Sequence, residues 1–199
     1  MGALEHIIKK YNIDTSKKSP HHIQCGRWRE LPKLFNEVGF KVGAEIGILR
    51  GAYTETLCKA GFKMYGIDVW TQYPTYNDFR SQSGLDKFER DARNRLKDLD
   101  CTIIKAWSMD AVKVFDDESL DFIFIDGNHS FEFVTNDIAE WGKKVKKGGI
   151  ISGHDYFRSR SGIYIHVKDV VNGWTYSHKI DPWFVLEGNK NKSWMWVKE

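Results

Sequence analysis

The segment Val42-Gly43-Ala44-Glu45-Ile46-Gly47-Ile48-Leu49-Arg50-Gly51-Ala52-Tyr53-Thr54 encodes a strand, a tight glycine turn and the start of a helix. A strand that hands directly to a helix through glycines belongs to a βα unit, and such units build parallel sheets covered by helices. Gly47 and Gly51 allow the sharp turn and let a ligand approach the backbone at the strand's carboxyl end. The spacing is not the dinucleotide fingerprint G-x-G-x-x-G, because Glu45 holds its first glycine position and Arg50 its last. A carboxylate at that strand end repels a pyrophosphate and suits a ligand that carries positive charge and no phosphate.

From residue 41 onward, short apolar runs alternate with helical patterns, as a parallel α/β sheet requires. The expected strands are Val42–Ile46, Met64–Val69, Thr102–Lys105, Phe122–Ile125 and Gly149–Ser152, with crossover helices at 52–60, 85–98 and 131–145. Leu85, Phe88, Ala92, Leu96 and Leu99 form the apolar stripe of the second of these helices. Ser130 is the expected N-cap of the third, and lysines stand at its other end before Gly148-Gly149. A last helix is expected over about 163–172, then an antiparallel hairpin of Trp183–Glu187 and Ser193–Val197 around Gly188-Asn189. Before residue 41, Leu4, Ile7, Ile8 and Tyr11 have helical spacing, as do Leu31, Leu34, Phe35 and Val38; residues 12–26 between them read as loop.

The length of 199 residues suits one domain, with residues 1–40 as a helical extension and 41–199 as the α/β core. A net charge of +3, with short lysine pairs scattered along the chain, gives no basis for a nucleic-acid partner. Cys25, Cys58 and Cys101 form no C-x-x-C and are odd in number, against a zinc site or disulfide framework. That cysteine usage leads us to expect a reducing cytoplasmic setting, and the N-terminus lacks an apolar stretch of the length of a signal peptide or membrane span.

The chemistry-bearing residues gather at strand ends. Asp68 ends the second strand about 20 positions beyond the glycine turn, where an acid bonds ribose hydroxyls. The third strand leads into Trp107-Ser108-Met109-Asp110, near the adenine of a ligand held by the first two strands. Trp107 or Met109 is a candidate to pack on the base, and Ser108 or Asp110 to bond its amine. The fourth strand ends in Asp126-Gly127-Asn128-His129 and the fifth in Gly153-His154-Asp155-Tyr156. Asp126, His154 and Asp155 are candidate ligands for a divalent cation such as Mg²⁺, which takes a few carboxylates and several waters. His129 or His154 is the alternative, as a general base without metal. The aromatic segment 70–84, with Trp70, Tyr73, Pro74, Tyr76, Phe79 and Arg80, is a candidate lid, and Arg158, Arg160 and Gly162 a candidate substrate wall. A ligand with the charge that Glu45 favours is S-adenosylmethionine, through its sulfonium and ammonium groups.

The ordered set Ala44-Glu45-Ile46-Gly47 with Gly51, Gly66-Ile67-Asp68, Ile125-Asp126-Gly127-Asn128-His129 and Gly148-Gly149 with Gly153-His154-Asp155-Tyr156 resembles the class I S-adenosylmethionine-dependent methyltransferases. More narrowly, it is similar to their small-molecule O-methyltransferases, over about residues 41–199. The resemblance implies a Rossmann-like seven-stranded sheet with the last strand antiparallel, helices on both faces and an N-terminal helical cap. It implies that Glu45, Gly47, Gly51 and Asp68 hold S-adenosylmethionine and that Asp126 lies beside its methyl group. Related enzymes bind Mg²⁺ through acids at the two strand ends, one of which here is His154. The N-P-P-Y signature of base N-methyltransferases is absent. The expected reaction is O-methylation of a small hydroxylated acceptor of sugar or natural-product type, with Asp126, His129, His154 and Asp155 as catalytic candidates. A homodimer through the N-terminal helices is compatible with this. The competing expectations are an NAD(P)-dependent oxidoreductase, against which Glu45 and Arg50 argue, and a non-catalytic cofactor-binding protein.

Overall fold

A computed structural model describes residues 2–73, 81–157, 165–188 and 190–199. In chain order its elements are α1 (Ala3–Lys10), β1 (His21–Gln24), α2 (Glu30–Glu37), β2 (Val42–Ile46), α3 (Ala52–Lys59), β3 (Lys63–Asp68), α4 (Gln82–Leu96) and β4 (Cys101–Lys105). A short helix α5 (Ser108–Ala111) with a following 3₁₀ turn, β5 (Leu120–Ile125), α6 (Phe131–Lys144), β6 (Val145–Gly153), α7 (Val167–Ser177), β7 (Phe184–Glu187) and β8 (Ser193–Val197) complete the series.

The central strand explains the layering. In β5 the run Phe122-Ile123-Phe124-Ile125 is buried throughout, and alternate side chains leave a strand on opposite faces. Phe122 and Phe124 join one core with Phe35, Leu57 and Phe62, beneath α1, α2 and α3. Ile123 and Ile125 join the other with Ile138, Trp141 and Val171, beneath α6 and α7. Phe35 stacks on Phe122 with ring centroids 4.3 Å apart, which ties α2 to the middle of the sheet.

The strands form one sheet in the order β1-β7-β8-β6-β5-β2-β3-β4. β8 runs antiparallel to both β6 and β7, and the other neighbours are parallel. This is the Rossmann-like sheet that the resemblance implies, with its closing hairpin, helices on both faces, and one strand more than the expected seven. The extra strand is β1, which pairs with β7 from His21↔Phe184 to Gln24↔Glu187. It falls inside residues 12–26, expected to be loop. An edge strand that buries only Ile23 has too little apolar alternation to be read as one.

Two local expectations change in detail. Ser130 occupies the N-cap position of α6, but its hydroxyl donates to Asn128 Oδ1 at 2.8 Å, and the helix's Phe131 N–H is accepted by His166 Nδ1 at 3.0 Å. The last helix, expected over 163–172, runs Val167–Ser177, with residues 163 and 164 outside the described ones. Among the described residues no helix is long and apolar enough to cross a membrane.

Candidate active site

β2 is paired on one side with β3 and on the other with β5, so the chain's direction of winding switches between β2 and β5. Crevices at such switch points, outside the carboxyl ends of the strands, are where α/β sheets bind ligands. A cavity of about 770 Å³ lies there, lined by the ends of β2, β3, β5 and β6 and by the start of α5.

The glycine turn forms one wall. Gly47 has φ +91°, and a Cβ on it would meet the Asp126 carbonyl oxygen at 2.4 Å. The turn therefore rests directly on the backbone that follows β5, joined to it by the Asp126 N–H donating to Ile46 O at 2.8 Å. Leu49 follows with φ 50°, a left-handed conformation that a branched side chain adopts at a cost. Asp68 holds it: Oδ2 accepts the Leu49 N–H at 2.8 Å, and Oδ1 accepts that of Trp70, itself at φ 44°. Trp70 is buried and donates its indole N–H to Leu49 O at 2.7 Å. A carboxylate has about four acceptor sites, so these bonds leave capacity for a ligand's hydroxyls. Asp68→Ala is expected to weaken binding of an adenosine ligand about 100-fold, since hydrogen bonds to charged groups are each worth about 1.5–3 kcal/mol. Calorimetry with S-adenosylhomocysteine checks this, and unchanged affinity rejects the role.

Glu45 is buried below the turn, where Thr54 Oγ1 donates to its Oε2 at 2.5 Å. Burial pushes its carboxyl from an ordinary 4.5 up to about 8, the Thr54 bond opposes this, Asp126 adds to it, Arg27 opposes it and Cys101 adds slightly. The group thus holds a proton at neutral pH, and a ligand ammonium beside it favours its ionisation. The folded protein binds that proton between pH 4.5 and 8 while the unfolded chain has released it, so stability falls as pH rises through this window. Glu45→Gln is expected to remove this slope, raising the thermal midpoint relative to the parent above pH 8, and to weaken S-adenosylhomocysteine about tenfold. A midpoint difference that does not change with pH contradicts this.

Trp107, Ser108 and Met109 also line the cavity, whereas Asp110 turns outward from α5 and pairs with Lys113 at 2.7 Å. Gly51, at φ +71°, begins α3 and packs against Leu96, behind the cavity lining. An acid that sequence inspection passed over takes Asp110's place. Asp137 of α6 is buried against the cavity and accepts a hydrogen bond from Ser108 Oγ, which in turn accepts the Trp141 indole N–H at 2.8 Å. Burial raises the Asp137 carboxyl to about 7 against the effect of the Ser108 bond. Tyr73 meets Trp107 and Phe133 edge-on, with centroids 4.9 and 5.2 Å away, closing this side. Of the candidate lid, Pro74, Tyr76, Phe79 and Arg80 lie outside the described residues, as do Arg158, Arg160 and Gly162 of the candidate substrate wall.

Asp126, His129, His154 and Asp155 do come together, because β5 and β6 are neighbours in register. His154 Nδ1 lies 3.0 Å from Asp155 Oδ1 and 3.6 Å from Asp126 Oδ1. His129 Nε2 lies 3.1 Å from Asp155 Oδ2 and 3.5 Å from Asp126 Oδ1. Asp155 has φ 55°, a left-handed conformation that aspartate tolerates. Burial works against charge on His154, but its bonds to Asp126 and Asp155 dominate and raise it to about 9, so it is an imidazolium at neutral pH. Burial alone would raise the Asp126 carboxyl; the bonds from His129 and His154 outweigh that and hold it well below the usual carboxylate range.

Sequence inspection missed two further neighbours. Asn191, between β7 and β8, donates to Asp155 Oδ1 at 2.9 Å. Arg27, between β1 and α2, donates from Nη1 to Asp126 Oδ2 at 2.8 Å. These bonds bear on Mg²⁺. Donor atoms of Asp126, His154 and Asp155 lie within 4.8 Å of one another. Yet each carboxylate oxygen already faces a nitrogen: Arg27 or the histidines at Asp126, and His154 with Asn191 or His129 at Asp155. One ligand of the three is an imidazole, whereas Mg²⁺ takes oxygen. The residues present do not fit Mg²⁺.

Comparison with known proteins agrees with this layout. No curated protein matches the chain significantly. Among solved structures, an O-methyltransferase from Bacillus cereus in complex with SAH superposes with a TM-score of 0.63 at 17% identity, over 98% of this chain and 90% of that one. The O-methyltransferase NovP gives 0.60 at 17% identity, over 84% and 75%. The SAH-bound Podospora anserina methyltransferase PaMTH1 gives 0.57 at 15% identity, over 85% and 76%. At these identities the likeness is one of fold. A family model described as a methyltransferase domain matches residues 44–156, from the glycine turn through the acid–histidine cluster. That match spans more than half of the sequence and both walls of the cavity, and the chain belongs to the methyltransferase-domain family.

Proposed function

We propose that the chain transfers the methyl group of S-adenosylmethionine to a hydroxyl of a small acceptor, of sugar or natural-product type. The observation that carries this is the cavity at the switch point, lined by the Gly47 turn and Asp68 and by the Asp126–His154–Asp155–His129 cluster. The names of the O-methyltransferase neighbours support it.

Glu45, Gly47 and Asp68 hold the cofactor's aminoacyl and ribose parts, with Gly51 setting the turn, while Trp107, Ser108 and Met109 flank its adenine. The acceptor lies against the acid–histidine cluster. Its oxygen attacks the methyl carbon in line with the departing sulfur, so an O–C bond forms as the C–S bond breaks and the sulfonium becomes a neutral thioether. The hydroxyl proton passes to His129, oriented by Asp155. Carboxylates by themselves oppose a developing alkoxide. His154, which Asp126 and Asp155 keep protonated, supplies stabilising charge. Much of the rate comes from holding acceptor and methyl in contact. We assign the whole chain to one domain working in a cytoplasmic setting, with neither nucleic acid nor membrane as partner; a homodimer through the N-terminal helices is compatible with it.

The test is incubation with S-adenosylmethionine and a panel of hydroxylated sugars and phenols, with mass spectrometry of the products. An O-methylated product supports the proposal, and products methylated only on nitrogen or carbon reject the acceptor class.

A further inference from the structure

We propose that Arg27 is the resident cation of the acceptor site, and that the enzyme consequently works without a divalent metal. This rests on the methyltransferase reading above and says how its acceptor end is charged.

Arg27 reaches Asp126 from 99 positions away in sequence, and its backbone is fixed from both sides. β1 holds the residues before it in register with β7, and the pairing continues where Cys25 N–H donates to Glu187 O at 3.1 Å. Next to it, Gly26 O accepts the N–H groups of Glu30 and Leu31 at the start of α2, each at 3.1 Å. The side chain is held as well. Its guanidinium carbon lies 4.9 Å from the Trp28 ring centroid and 5.6 Å from that of Tyr53. Those rings meet edge-on at 5.5 Å, and Tyr53 is buried against Phe124 at 4.5 Å. A surface arginine has no such slot. This one is 16% exposed and lines the cavity.

Arginine in this place has two consequences. Its charge is permanent and lies 2.8 Å from Asp126 Oδ2, so this carboxylate lacks the uncompensated negative charge that draws in a divalent ion. A metal that takes both Asp126 oxygens has to displace the guanidinium from Oδ2, and one on Oδ1 alone has to displace the histidine nitrogens 3.5 and 3.6 Å away. The planar fork is also rigid and always charged, which suits it to an oxygen that gains negative charge as well as to a carboxylate. Arg27 thereby does with hydrogen bonds what a metal does with coordination: it holds the acceptor oxygen and takes up its developing charge.

The experiment titrates Mn²⁺ into the protein loaded with S-adenosylhomocysteine, and follows the free aqua ion by electron paramagnetic resonance. The parent is expected to show no saturable Mn²⁺ site tighter than about 1 mM, and Arg27→Met to gain one at least about tenfold tighter. Arg27→Gln, which keeps a polar group in the slot, serves if the methionine variant does not fold. One equivalent of Mn²⁺ bound by the parent below that concentration overturns the proposal. So does a variant that still binds S-adenosylhomocysteine and gains no Mn²⁺. A parent that binds no S-adenosylhomocysteine rejects the cofactor reading instead, and its Mn²⁺ titration still judges Arg27.

Discussion

Asp126→Asn is expected to lower turnover by about a thousandfold, in the range removed when an acid–base constellation loses a member. Asparagine has almost the same shape, so the bond to Ile46 O and the packing of β5 on β6 persist. What it removes is charge. Asp126 is the common partner of Arg27, His129 and His154, and its carboxylate helps keep His154 protonated. Without it the imidazolium loses part of its support and the guanidinium its anchor. Arg27 and His154, 16% and 10% exposed, lose their common counter-charge, so the thermal midpoint falls as well. The comparison is kcat on the first acceptor that the product screen returns, with circular dichroism as the check on folding. Turnover within a few-fold of the parent rejects the role given to Asp126.

Gly47→Ala is expected to cost about 2–6 kcal/mol of stability, from left-handed strain of about 1–3 kcal/mol and overpacking of similar size. The new methyl would stand 2.4 Å from Asp126 O and 2.5 Å from Gly127 Cα, both backbone atoms that no rotamer change can move aside. Relief requires separating the turn after β2 from the chain after β5, which opens the cofactor wall. Binding of S-adenosylhomocysteine is expected to fall more than about 100-fold, the equivalent of about 3 kcal/mol. Gly39 supplies the control: its φ is +82°, and nothing lies within 4 Å of a Cβ placed there. Gly39→Ala bears the strain without the clash, so only its midpoint drops, by the smaller amount, and its binding is retained. If the two variants behave alike in calorimetry and thermal melts, the contact at Gly47 has been misjudged.

The legible part of this fold and site is the part written in consecutive residues. β2 and β8 begin and end where expected, since a buried strand bounded by polar residues marks its own limits. The acid–histidine cluster was foreseeable because two apolar strands each finish in polar residues and pair side by side. What sequence could not give depends on pairing across long separations or on which face of a helix turns inward. Arg27 precedes every recognisable motif and gains meaning only when β1 adds to the edge beside β7. Asp137 looks like any polar residue of α6 until the helix is seated over Ser108. Asp110 misleads for the converse reason: the chain after β4 coils into α5, which directs this side chain to solvent and to Lys113. Asn191 is joined to Asp155 only because the β7–β8 hairpin folds back beside β6.

S-adenosylmethionine is the ligand we assign to the cavity at the β2–β5 switch point. Calorimetric titration with S-adenosylhomocysteine, repeated in the presence of excess NADH, tests it most directly. The expected result is one site per chain with a dissociation constant on the order of micromolar, undisturbed by NADH. Absence of S-adenosylhomocysteine binding together with binding of NADH would contradict it.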